Sequence, residues 1–195
     1  MEKSYTDDMV ANRRHLHKRP EEGWTEFETT YFVYQYLTAL GLPVSVGKAN
    51  INEKEVLGRD EKLVADGMKR ALAHGVPQAF LDKTEGYTGC VAVLDTGRPG
   101  PVTAFRSDMD CVLVRETDDP EHLPNKLGFA SERPGFMHAC GHDGHTAVGL
   151  EVARWLVENK DKLCGKFKCI FQPAEEGVRG ARAMAAAGIV DDVDY

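Results

Sequence analysis

The sequence predicts an α/β fold, a layered domain with helices packed on a mixed β-sheet, and three observations carry that expectation. Segments of helical period and of strand period alternate along the chain. From Gly89 onward the predicted order is β, β, α, β, α. The composition, 42% hydrophobic and 28% charged over 195 residues, suits one soluble core. A single domain over residues 1–195 is expected, with a helical insertion at about 50–85.

Thr6 to Lys18 reads as a first helix, broken at Pro20, and TEFETTYFVYQYLTAL as a second, with Phe27, Tyr31, Tyr34 and Leu37 at helical spacing. Gly41 is placed to cap it and Pro43 confirms the stop. PVSVG is a short strand, and Asn50 to Lys83 is charged and helical in pattern, hence an insertion beside the core. GCVAVLDTG and PVTAFRSDMD are β-rich, and the turn signal GRPGP between them predicts an antiparallel pair. Asp108 and Asp110 fall where the second of these strands ends. A loop rich in proline, glycine and charge, Glu116 to Gly135, leads to FMHACGHDGHTAV. The helix after it, from about Thr146 to Asn159, is apolar nearly all round through Val148, Leu150, Val152, Trp155 and Leu156, and so is expected to be buried. KFKCIFQ is a further strand, PAEEG a turn, and ARAMAAAG a helix capped by Gly188.

A net charge of -7 with no polybasic stretch argues against nucleic acid and anionic membranes as partners. No apolar leader or membrane span is present in the sequence, and the expected location is the cytoplasm. The five cysteines contain no CxxC pair, which fits reduced thiols.

The chemistry concentrates in two places. Eight residues, His138 to His145, hold three of the seven histidines and Cys140. A thiolate and an imidazole two residues apart, with Gly141 between them, can turn toward one metal ion. The helix that follows is expected to lower the Cys140 pKa through its dipole. Asp108, Asp110 and Asp143 are all candidates to orient the imidazole from behind. The second place is QPAEEG, at the end of a strand, where one of Glu175 and Glu176 can ligate a metal while the other takes a proton from water. His138 and His145 are expected in supporting positions, and His15, His17, His74 and His122 at the solvent-exposed surface.

In that order RRHLHKRPEEGWTEFET, FRSDMD, MHACGHDGHTA and FQPAEEG resemble the amidohydrolase branch of the aminoacylase/carboxypeptidase superfamily of dinuclear metallohydrolases. The resemblance implies that Cys140, His142 and Glu176 are metal ligands, that Glu175 is the general base, and that Asp108 supports the site from behind. It implies two divalent ions, Mn2+ or Zn2+, and cleavage of N-acyl amino acids, with p-aminobenzoyl-glutamate the favoured substrate. A dimer is implied as well, and so is a partner, the B subunit. Family members are longer, so the chain is expected to be the N-terminal part of the catalytic domain, ending before the lid domain. No histidine follows His145, which leaves two expected ligands unsupplied and makes a catalytically inactive fragment or binding module the alternative. Cys111 stands where an alanine is usual.

Overall fold

The computed structural model describes residues 4–195, and its architecture is the expected one of helices layered on a mixed sheet. Helices α1 (Tyr5–Lys18) and α2 (Phe27–Ala39) precede strand β1 (Val44–Val46). Two short 3-10 turns then lead into α3 (Glu61–Ala73) and α4 (Gln78–Thr84). Strands β2 (Cys90–Asp95) and β3 (Val102–Asp108), a one-turn helix α5 (Leu123–Lys126), helix α6 (His142–Glu158), strand β4 (Lys166–Gln172) and helix α7 (Gly180–Ala185) complete the chain.

The four strands lie in the order β1-β2-β4-β3. Strands β1 and β2 pair antiparallel, as do β2 and β4, whereas β3 and β4 are parallel. The antiparallel β2–β3 pair expected from GRPGP therefore does not form, because β4 lies between the two strands. The loop commits its acceptors to β4 instead: the Arg98 and Pro101 carbonyls take the amides of Gly165 and Lys166 at 3.0 Å each. Two prolines in that loop also remove donors that a tight hairpin would use. Strand β2 is buried along most of its length, as a strand paired on both sides should be.

The parallel pairing sets up the site. Asp108 stands opposite Gln172 in register, so the loops leaving the carboxyl ends of β3 and β4 emerge side by side. Helix α6 crosses between them and packs on the sheet, where a Cβ at Gly149 would meet Ser107 Oγ at 2.3 Å. Its buried face is Leu150, Ala153 and Leu156. The all-round burial expected of α6 fails on the other face, where Val148, Val152 and Trp155 are 46, 36 and 45% exposed. Those three recur at i, i+4 and i+7 and form one exposed stripe.

The segment at 50–85 shares the main core: Val64, Ala71, Phe80 and Leu81 are buried in the same cluster as Trp24, Phe27, Leu37 and Phe171. Phe80 lies against Tyr31 and Tyr34 of α2, ring centroids 4.7 and 5.1 Å away. Among the described residues no helix is long and apolar enough to cross a membrane.

Candidate metal centre

Gly141 adopts φ +87°, a left-handed conformation that costs glycine nothing, and its carbonyl accepts the amides of Gly144 and His145. Helix α6 therefore begins at His142, four residues before the expected start. Thr146 anchors the first turn by donating its hydroxyl to the Asp108 carbonyl at 2.9 Å. Cys140 is left exposed just outside the helix, and His142 is buried at its first position.

On the other side of the site, β4 runs into Pro173 and a turn in which Ala174, Gly177 and Val178 all have positive φ. The turn presents Glu175 and Glu176 to His142, whose Nε2 lies 3.7 Å from Glu175 Oε2 and 3.8 Å from Glu176 Oε1. The Cys140 thiol faces the Glu176 carboxylate. Three of the four residues expected from the sequence, His142, Glu175 and Glu176, thus have potential ligand atoms within 4.8 Å of one another, and Cys140 joins them through Glu176.

The donor set fits a divalent cation. His142 Nδ1 bonds to the Asp110 carbonyl at 2.9 Å, which leaves Nε2 as the nitrogen facing the two glutamates. In the neutral ring that nitrogen is a lone pair, so acceptor faces acceptor until a cation lies between them. Without one, the imidazole takes up the charge itself. Burial works against this, but hydrogen bonds to Asp110 and its negative charge outweigh burial and raise His142 to about 9. The same crowd of acceptors opposes the thiolate expected at Cys140: the facing Glu176 carboxylate, then burial and the other carboxylates, push its thiol up to about 11.

Asp108 also lies near His142, and with His145 the three bring potential ligand atoms within 4.8 Å of one another. Asp108 Oδ2 lies 3.2 Å from His145 Nδ1 and its Oδ1 3.2 Å from Arg106. Asp110 takes the position behind His142. Fully buried, it also accepts the amides of Glu175 and Glu176, one on each oxygen at 3.0 Å. The sequence marks Asp110 only as one of three candidate carboxylates, and the period-two spacing of DMD gives no reason to choose between the first and the last.

His17 overturns its expected exposure. It is 1% exposed, with Nδ1 2.7 Å from Asp143 Oδ2 and Nε2 3.0 Å from Glu116 Oε1. It therefore ties α1 to both the first turn of α6 and the loop before it. Satisfying both carboxylates requires a proton on each ring nitrogen. Burial lowers its pKa, but the two hydrogen bonds prevail and the value is raised. Raised in the fold, His17 contributes stability that is complete below the unfolded value of about 6.5 and is lost as the pH climbs through the folded one. His17→Gln should lower stability by about 3 kcal/mol in mildly acidic solution. The gap to the native protein should narrow at alkaline pH. Urea denaturation at several pH values checks this, and a gap that widens with pH would contradict it.

His138 is 4% exposed beside His17, ring centroids 6.4 Å apart, and burial takes its pKa down to about 4, so the ring is neutral. Cys90, Cys111 and Cys169 are buried core thiols, and all five cysteines are free.

Cysteine, histidine and two glutamates are gathered where parallel strands of a mixed sheet end, a donor set that suits a divalent metal ion. The model for peptidase family M20/M25/M40 matches residues 104–195. The chain is 53% identical to the A-subunit homolog of p-aminobenzoyl-glutamate hydrolase from Haemophilus influenzae, over 97% of this chain and 45% of that protein. It is 50% identical to indole-3-acetyl-aspartic acid hydrolase of Enterobacter agglomerans, over 96% of this chain and 44% of that one. Among solved structures, an aminobenzoyl-glutamate utilization protein from Klebsiella pneumoniae superposes with a TM-score of 0.79 at 42% identity, covering 97% of this chain and 42% of that chain. A Bacillus subtilis dinuclear metal-binding peptidase of the M20 family gives 0.67 at 30% identity, over 97% and 41%. The resemblance read from the four motifs is borne out, and the chain spans less than half the length of these relatives.

Proposed function

We propose that this chain supplies the first part of the active site of a metal-dependent amidohydrolase that cleaves the amide bond of N-acyl amino acids, with p-aminobenzoyl-glutamate the favoured substrate. The observation that carries the reading is the approach of Glu175 and Glu176 to His142 Nε2, at 3.7 and 3.8 Å. Cys140, His142 and Glu176 would hold divalent ions, Mn2+ or Zn2+, which when bound supply Lewis acidity at the acyl oxygen and bring the pKa of water toward about 7. Glu175, 36% exposed and turned toward the same point, takes the proton from the attacking water and returns it to the leaving amine nitrogen. Asp110 holds His142 and both glutamate amides in place for this. Relatives named as A subunits of the hydrolase support a partner, the B subunit. Five free thiols support a cytoplasmic location.

The test is release of p-aminobenzoate from p-aminobenzoyl-glutamate by a polypeptide of the relatives' length that includes this chain, assayed with its B subunit. Turnover should vanish on chelation and return with Mn2+ or Zn2+. Turnover indifferent to chelators would remove the metal from the reading. For the 195-residue chain assayed alone a second reading applies, an inactive fragment or binding module, and the absence of any histidine after His145 favours it.

A further inference from the structure

Glu26 is a carboxyl group for which the reaction has no use. It stands at the N-cap of α2, fully buried. The Thr88 hydroxyl donates to its Oε2 at 2.6 Å, and the amide of Ala174 donates to its Oε1 at 2.7 Å. Ala174 is the residue before Glu175 and has φ +49°, a left-handed conformation that costs an alanine about 1–2 kcal/mol. Such a conformation persists only where its surroundings hold it. The next two amides, of Glu175 and Glu176, go to Asp110. Three successive amides of the glutamate loop are therefore held by two buried carboxyl groups, one before α2 and one after β3.

Burial, and after it the negative charge of Asp110, push Glu26 up to about 8. A neutral acid at this position has the same shape and the same acceptor as a glutamine, whose amide group could donate to the Thr88 oxygen.

We propose that Glu26 is a positioning residue of the metal centre: by fixing the Ala174 amide it sets the direction in which Glu175 and Glu176 leave the loop toward His142. The inference rests on the metal-centre reading given above. It assigns work to the EFET segment of α2, which lies 148 residues from the loop it holds.

Titration with Co2+ of a polypeptide of the relatives' length that includes this chain tests it, read by the thiolate-to-cobalt charge-transfer band of Cys140 and by the visible d–d envelope. Glu26→Gln should bind Co2+ within about twofold of the native protein. Glu26→Leu should bind at least about tenfold more weakly, the size of effect that loss of a ligand-supporting partner produces, with an altered d–d envelope and unchanged far-ultraviolet circular dichroism. Should Glu26→Leu fail to fold, Thr88→Val decides, since it frees Glu26 Oε2 and should cost several-fold in affinity. Native affinity in Glu26→Leu, equal losses in the Gln and Leu variants, or native affinity in Thr88→Val would each overturn the proposal. A native chain that shows no charge-transfer band overturns the metal-centre reading itself, an outcome distinct from the others.

Discussion

Glu175→Gln, introduced into a polypeptide of the relatives' full length, is expected to lower the turnover number for p-aminobenzoyl-glutamate by about 10³–10⁴ while the metal content stays at the native level. A positioned general base contributes up to this much, and glutamine has the length and shape of the carboxylate without its basicity. The neighbouring substitution separates the two roles. Glu176→Gln should lose metal in step with activity, because Glu176 is the glutamate that faces both Cys140 and His142 Nε2. Elemental analysis beside steady-state kinetics checks the pair. Glu175→Gln with native turnover would take the base assignment away from Glu175, and metal loss in Glu175→Gln alone would exchange the two roles.

The sequence displayed the chemistry of the site better than its supports, for a physical reason. Cys140 with His142, and Glu175 with Glu176, are each close along the chain, so two short loops at strand ends suffice to show them. Their supports are distant. His17 finds its two carboxylates 126 and 99 residues away, and Glu26 finds its amide 148 residues away, so nothing local distinguishes either from a surface group of a charged helix. The fold divides in the same way. Helix periods located α1 and α2 to within a residue or two, whereas the pairing of β2 was misread. A hairpin signal is local, and the strand that displaces the hairpin starts only at Lys166, after α6 has crossed over, where it falls into register with Val102. The exposed stripe of α6 was illegible for a related reason: apolar residues announce burial, but only the neighbours that a helix meets decide which of its faces is covered.

Asp110 carries the last and most structural expectation. Both its oxygens accept amides, from Glu175 and Glu176, and its carbonyl accepts from His142 Nδ1. Asp110→Asn retains the shape but supplies only one oxygen, so the second amide meets an NH2 group, donor against donor, at a cost of about 1–3 kcal/mol. Loss of the negative charge behind His142 should also weaken metal binding by about 10–100-fold. A compensating gain exists, since Glu26 would no longer face a second carboxylate, but at neutral pH Glu26 is already largely protonated and that gain is the smaller effect. The expected result is therefore a lower urea midpoint together with weaker Co2+ binding; native values of both would show that the loop holds its shape without Asp110. The same chemical exchange, a carboxyl for a carboxamide, thus has opposite expected outcomes at the two ends of one cradle. At Glu26 a single backbone amide is bound and glutamine can take over; at Asp110 two are bound and asparagine cannot.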